Sequence, residues 1–493
     1  MKRSYLLTVL FFLFTPASIC LWQPANASSH HASGKPPIAA TTEAVTAFIN
    51  VNVIPMDRER VLKNQTVIVR GGSIAELGDA AKVKVPAGAV RIDGRGKYLM
   101  PGLIDMHTHL FSDDEYPDSI AGDELAIMVA NGVTTSRLMI GTPEHLALRE
   151  KVAKGELLGP TLYVASPELT GRAARGIFNG RTVRTPEEAR QAVRECKAAG
   201  YDFIKLTTQI TRPVYDAVIE AAKEAGIRVV GHVDLPVGLY RALEAGQQIE
   251  HLDSYMEAVL RDDAPMKVSV SDSGVGRKAN WESLDYIDDR KVAAAAKATA
   301  KAGIYTCPTL TFFKLSYAVP QTEEQLRSRP DYRFFPPKMR ESRHRAHNRY
   351  WSSPPSTERL KRYLSVRNQL VKGIHEAGGK IMTGSDTPEL FLLYGFSLHR
   401  EIQNLAEAGL TPYAALEAAT RNPAEYLRAL DTIGTVERGK RADLVLLHAN
   451  PLEDITSTER RAGVMVRGKW ITEAESKKML DEAATRFQQA WGN

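Results

Sequence analysis

The stretch PGLIDMHTHL, residues 101–110, sets two histidines two positions apart at the end of a short apolar run. Read as a strand, it points His107 and His109 the same way, because side chains at i and i+2 share a face. Similar short runs return seven more times: VTTSRLM (133–139), TLYVAS (161–166), FIKLTT (203–208), RVVGHV (228–233), QIEHLD (248–253), IYTCPT (304–309) and KIMTGSD (380–386). Stretches of helical period separate them, such as TPEEARQAVRECKAAG (185–200), PVYDAVIEAAKEAG (213–226) and RKVAAAAKATAKAG (290–303). Several begin near Thr or Pro and stop at Gly, residues that cap helices. Eight strand-helix units within residues 101–429 predict an α/β chain closed as a (β/α)8 TIM-type barrel, with reactive groups at the C-terminal ends of its strands.

The flanks have another rhythm. Residues 46–100 and 430–472 read as short alternating strands with turn signals (RGGS, PAG, DGRG), predicting a small β-sandwich domain built from both chain ends; residues 473–493 predict a C-terminal helix. Two long connections, 254–289 and 314–358, follow strands and so open on the reactive face, where long loops act as lids or specificity elements. The segment 321–372 holds thirteen Lys/Arg against five Asp/Glu, with aromatic residues interleaved (DYRFFPPKMRESRHRAHNRYW). Such a lid is expected to favour an anionic or carboxylate-bearing substrate.

The first residues follow a secretory pattern: Lys2 and Arg3, an apolar run from Tyr5 to Phe14, then Ala25-Asn26-Ala27. A signal peptide over residues 1–27, cleaved after Ala27, is expected, which makes the protein periplasmic or secreted. Pro16 interrupts the run and leaves it short for a span of ~30 Å, while Ile19 argues against lipoprotein processing at Cys20. No later segment reads as a membrane span. Export leaves Cys196 and Cys307, too few for a disulfide scaffold. It also removes Lys2 and Arg3, lowering the formal charge from +6 to +4, so the chain outside the basic segment is mildly acidic.

Other chemistry-bearing residues fall at matching places. His232 is the penultimate residue of VVGHV, His251 ends the IEH of QIEHLD, Asp386 ends MTGSD, and Lys205 sits inside FIKLTT, where a lysine without a partner is costly to bury. A single buried histidine is usually a core residue. Four histidines, an acid and a lysine on one rim point instead to a metal site. His30 and His31 lie in the N-terminal tail, His145, His375 and His399 on helical stretches, and His448 in the β-domain. His344 and His347, spaced i, i+3 in the basic segment, read as a solvated helix face.

With these motifs and the tail TPYAALEAATRNPAEYL, then IGTVERGKRADLVLL, residues 46–470 resemble the amidohydrolase superfamily, in particular its imidazolonepropionase and prolidase-like branch with a carboxylated lysine. The resemblance implies that His107 and His109 hold one divalent metal with Asp386, and that His232 and His251 hold a second. Lys205, carboxylated by carbon dioxide, would bridge the two. Mixed nitrogen and oxygen donors suit zinc, although manganese, cobalt or iron can occupy such a set. The implied reaction is attack by a metal-bridging hydroxide on a carbonyl, with Asp386 carrying the proton to the leaving amine. Around the site, Tyr255 is a candidate oxyanion donor, and Arg172 and Arg175 in LTGRAARG are candidate partners for a substrate carboxylate. That loop lacks the histidine that prolidase-like relatives carry, which separates the chain from a standard Xaa-Pro dipeptidase.

The expected activity is hydrolysis of a small-molecule amide, a dipeptide or an N-acyl amino acid. The same metals could open a cyclic amide, a lactone or a carbamate ester. A deaminase is disfavoured, since that chemistry in the superfamily usually uses one metal and no lysine. Outside enzymology, the charged segment could recognise anionic surface polymer or lipid headgroups, but a retired scaffold has no reason to keep a full ligand set. No nucleic-acid-binding motif is present, and self-association into a homo-oligomer stays open.

Overall fold

The computed structural model describes residues 45–110, 120–171, 180–265 and 281–489. The proposed signal peptide, Cys20, His30, His31, Arg172, Arg175 and residues 266–280 of the first long connection lie outside the described residues.

Eight parallel strands carry the predicted runs: β1 (Leu103–Thr108), β2 (Val133–Leu138), β3 (Thr161–Val164), β4 (Phe203–Leu206), β5 (Arg228–Gly231), β6 (Gln248–Glu250), β7 (Tyr305–Cys307) and β8 (Lys380–Ile381). They form a three-stranded sheet, β1-β2-β3, and a seven-stranded sheet in which β4 to β8 follow in chain order beside the short strands Leu169–Thr170 and Arg181–Thr182. Ala165 bridges Phe203, linking β3 to β4. At the other side Met106 N donates to Thr383 O (3.0 Å), Asp386 N to His107 O (2.8 Å) and His109 N to Thr387 O (2.7 Å). The path of backbone hydrogen bonds therefore returns from β8 to β1.

Helices between the strands start and stop where their sequences direct. In Pro186–Ala199 the Thr185 hydroxyl accepts from Glu188 N at 3.2 Å, proline opens the first turn, and Gly200 leaves it at φ +91°. Ala189, Ala192, Val193 and Cys196 make its buried face. Both Cys196 and Cys307 are buried and free.

The flanking segments build one mixed sheet of eight strands. Its order is Lys469–Thr472, Arg461–Val466, Leu444–Leu447, Tyr98–Pro101, Thr46–Val53, Leu62–Arg70 and Ser73–Asp79, with Val90–Asp93 also paired to Thr46–Val53. Both chain ends contribute strands, and the described strands bond as a single sheet, where a sandwich calls for two. Alternate residues divide between two cores: Leu444 and Leu446 join Phe48, Val67 and Met465, while Val445 and Leu447 join the core of the parallel strands.

The second long connection is largely helical, through Glu323–Arg327, Pro337–Trp351 and Thr357–Glu376. Much of its charge is already matched: Arg327 pairs with Glu323, Arg329 with Asp331, Arg333 with Asp481, Arg359 with Asp285 and Arg362 with Asp289. His344 and His347 are buried, not solvated. His344 Nε2 meets the Tyr332 hydroxyl at 2.9 Å and His347 Nε2 the Gln321 carbonyl at 2.9 Å. The C-terminal helix Glu473–Gln489 clasps this region, with Gln488 donating to Arg333 O (2.8 Å) and Arg486 forking onto buried Asp123. Among the described residues, no helix is long and apolar enough to cross a membrane.

Candidate metal centre

The strand ends bring four imidazoles into one row, buried at His107, His109 and His251 and half-buried at His232. Ring centroids lie 5.2 Å apart for His109 and His107, 4.6 Å for His107 and His251, and 4.9 Å for His251 and His232. His107 and His109 share a side by strand alternation. His251 reaches the row differently, because the chain leaves β6 in the left-handed region with φ +62°. Asp386 leaves β8 in the same region, at φ +56°. Its Oδ1 lies 3.3 Å from Nε2 of both His107 and His109, and its Oδ2 lies 3.8 Å from His251 Nδ1.

The other ring nitrogens decide what the row can bind. His107 Nδ1 is 2.8 Å from Glu250 Oε2, His232 Nδ1 is 2.6 Å from Asp253 Oδ2, and His251 Nδ1 is 2.8 Å from Thr309 Oγ1. In His107 and His232 the carboxylate can only accept, which keeps the proton on Nδ1 and leaves the Nε2 lone pair open, the arrangement in which a histidine ligates a metal, while the Thr309 hydroxyl anchors the His251 ring. Burial pushes His107 down to about 4, despite Asp386 and Glu250, and holds His251 well below its ordinary range, helped by His107 and His232. Both rings are thus neutral, the form that binds a cation. Burial raises Asp386, but His107 and His109 outweigh it and keep the carboxyl below its usual range.

Lys205 is 1% exposed, and its stem lies against Gly231, where an added Cβ would come within 2.9 Å of Lys205 Cδ. Among the described residues its amine meets no ion-pair partner. A buried ammonium of that kind is unfavourable, so the setting suits a lysine whose nitrogen is converted to an anionic carbamate. The donors present therefore fit divalent metal ions. His107, His109 and Asp386 offer ligand atoms within 4.8 Å of one another. His107, Glu250 and Cys307 do so too, but Glu250 is engaged by an arginine and burial drives the Cys307 thiol well above its usual range, away from the thiolate a metal requires.

Several residues of the centre escaped the sequence reading. Glu250 is fully buried and lies 2.6 Å from the equally buried Arg137, which also donates to Met106 O (2.7 Å) and Gln248 Oε1 (2.8 Å). Burial raises Glu250, yet Arg137 and His107 overcome it and bring the carboxyl down to about 2. A signal existed: Gln248 and Glu250 occupy alternate positions of one buried strand, and Arg137 sits in another. Tyr255 requires a correction. It begins the short helix Tyr255–Ala258, and its hydroxyl lies 2.7 Å from Thr299 Oγ1 inside the core, so it is a packing residue and not an oxyanion donor.

Known proteins align with these features. Ochratoxinase from Aspergillus niger is 24% identical over 476 residues, spanning 85% of this chain and 84% of that protein. Imidazolonepropionase from Paenarthrobacter aurescens is 28% identical over 207 residues, 38% of this chain and 48% of that protein. A solved Xaa-Pro dipeptidase with bound methionine superposes with a TM-score of 0.60 at 22% identity, covering 87% of this chain and all of that one; at this identity it speaks for the fold alone. The model of the amidohydrolase family runs from residue 98 to residue 471, through every strand that supplies a histidine to the row, and the chain belongs to that family.

Proposed function

We propose that the protein is a metal-dependent amidohydrolase that cleaves the amide of a dipeptide or an N-acyl amino acid. One observation carries the reading: four imidazoles stand in a row, three of them anchored through Nδ1 on Glu250, Asp253 or Thr309, with Asp386 3.3 Å from Nε2 of His107 and His109. In this reading His107, His109 and Asp386 would hold one divalent ion, His232 and His251 would hold a second, and carboxylated Lys205 would serve both; zinc is the first choice. Such ions supply Lewis acidity, lowering the pKa of water and polarising a carbonyl. The chain's own residues supply the rest. Asp386, ionised beside two histidines, takes the proton from the attacking water and returns it to the leaving nitrogen as the C–N bond breaks. Glu250 and Asp253 hold the His107 and His232 rings in one tautomer, Thr309 anchors the His251 ring, and burial limits the number of competing waters.

The amide-hydrolysing names among the relatives support the bond type, and the return of hydrogen bonds from β8 to β1 supports a (β/α)8 barrel. Export through residues 1–27 belongs to the same proposal. The test is a zinc-reconstituted screen of dipeptides, N-acyl amino acids and lactones, with metal content measured in parallel. About two ions per chain are expected, with Lys205→Ala losing both metal and turnover. Full loading and normal turnover in Lys205→Ala would remove the bridge, and turnover of lactones alone would transfer the assignment to ester-type substrates.

A further inference from the structure

Arg367 belongs to the basic segment whose charge was expected to face substrate, yet it is 1% exposed. Its guanidinium stacks 3.5 Å above the centre of the Phe313 ring, donates to the carbonyl of His251, lies 3.5 Å from the Pro308 carbonyl, and donates to the Tyr363 hydroxyl at 3.2 Å. The two carbonyls flank one hydrogen bond. His251 carries the imidazole, and Pro308 directly precedes Thr309, whose Oγ1 is 2.8 Å from that ring's Nδ1.

The corner needs holding. His251 and Thr309 stand at φ +62° and +44°, a region that is unfavourable for a non-glycine residue and persists where surroundings over-determine it. Glu401 fixes the far side of the same corner, accepting from Leu310 N at 2.9 Å and Thr311 N at 2.7 Å. We infer that Arg367 is a positioning residue for His251: one arm of its fork serves the carbonyls of His251 and Pro308 while the other is anchored on the Tyr363 hydroxyl and the plane lies on Phe313, which holds the His251 ring in the row. Lysine cannot substitute, having neither a fork nor a flat face for Phe313. The inference rests on the proposed metal centre, and concerns the second ion of the pair rather than the first.

The experiment titrates zinc into metal-free wild type, Arg367→Lys and Arg367→Ala against a competing chelator, with near-ultraviolet circular dichroism as the check on folding. Arg367→Lys is expected to weaken one of the two zinc sites by about 10–100-fold, the cost typical of losing a group that orients a ligand, and to leave the other unchanged. Adding methylguanidine to Arg367→Ala is expected to restore the weakened site. Two unchanged affinities in Arg367→Lys overturn the inference. So does loss of both sites together with the native spectrum in both variants, which assigns Arg367 a purely structural role. A wild type that binds no zinc refutes the metal centre as well, whereas two sites in the wild type that neither variant alters refute only the role of Arg367.

Discussion

Breaking the Arg137–Glu250 pair is the sharpest test of how the row of histidines is supported. The two charges lie 2.6 Å apart with both side chains fully buried, and Glu250 also accepts from His107 Nδ1. Arg137→Met would leave the carboxylate without its cation and strip donors from the Met106 carbonyl and Gln248. Losing one member of a buried pair costs about 3–5 kcal/mol, a large part of the ~5–15 kcal/mol that holds a typical domain. Glu250→Gln keeps an acceptor for His107 but strands the guanidinium, at a similar cost. The double variant removes both charges of the pair and strands neither, so it should be more stable than the sum of the singles predicts, by about 2 kcal/mol or more. Equilibrium urea unfolding with a chelator present measures this without the stability that bound metal adds. Single-variant losses that simply add, within about 0.5 kcal/mol, would refute the reasoning.

Other outcomes follow from the same geometry. Because burial pushes His107 down to about 4, the unfolded chain binds a proton that the folded chain refuses between that value and about 6.5. The His107 contribution to metal-free stability should therefore be full above about pH 6.5 and be lost toward pH 4, opposed by Asp105 and Glu401, which burial raises to about 7; a urea midpoint whose difference from that of His107→Gln stays flat across this window contradicts it. Glu250, held at about 2, adds a second loss that begins below about pH 4.3. Asp386→Asn should lower kcat by about 10²–10⁴-fold, and normal turnover in a correctly folded variant removes Asp386 from proton transfer. Gly231 stands at φ +111°, and a Cβ there would meet Leu206 O at 2.3 Å and Lys205 Cδ at 2.9 Å. Gly231→Ala should cost about 2 kcal/mol and lower the metal content per chain, while wild-type melting and metal content would show the close approach to be harmless.

The strands, and the clustering of the candidate residues at their ends, were readable because both depend on local pattern. A period of two sets His107 and His109 on one side, and position at a strand's end sets His232, His251 and Asp386 on one rim. Tyr255 misled because a new helix starts immediately after β6, turning a residue four positions beyond His251 into the core. Arg137 and Glu250 stand 113 residues apart, and no local periodicity pairs them. The basic segment misled for a related reason. A charge count cannot tell a free arginine from one matched by a distant acid, and Asp285, Asp289 and Asp481 all lie outside the segment they neutralise.

The sheet built from both ends of the chain has a consequence for synthesis. Tyr98–Pro101 takes its antiparallel partner from Leu444–Leu447, so that partner does not exist until most of the chain has left the ribosome. Until then the backbone groups along that edge have no native acceptor or donor, and Leu99 and Met100 have no cover. An edge of this kind invites wrong pairing, and contacts so far apart in sequence form slowly. The nascent protein must therefore stay soluble with its first domain unfinished. A pulse-labelled chain released before residue 444 should be captured by chaperones or degraded, and one released after residue 472 should not.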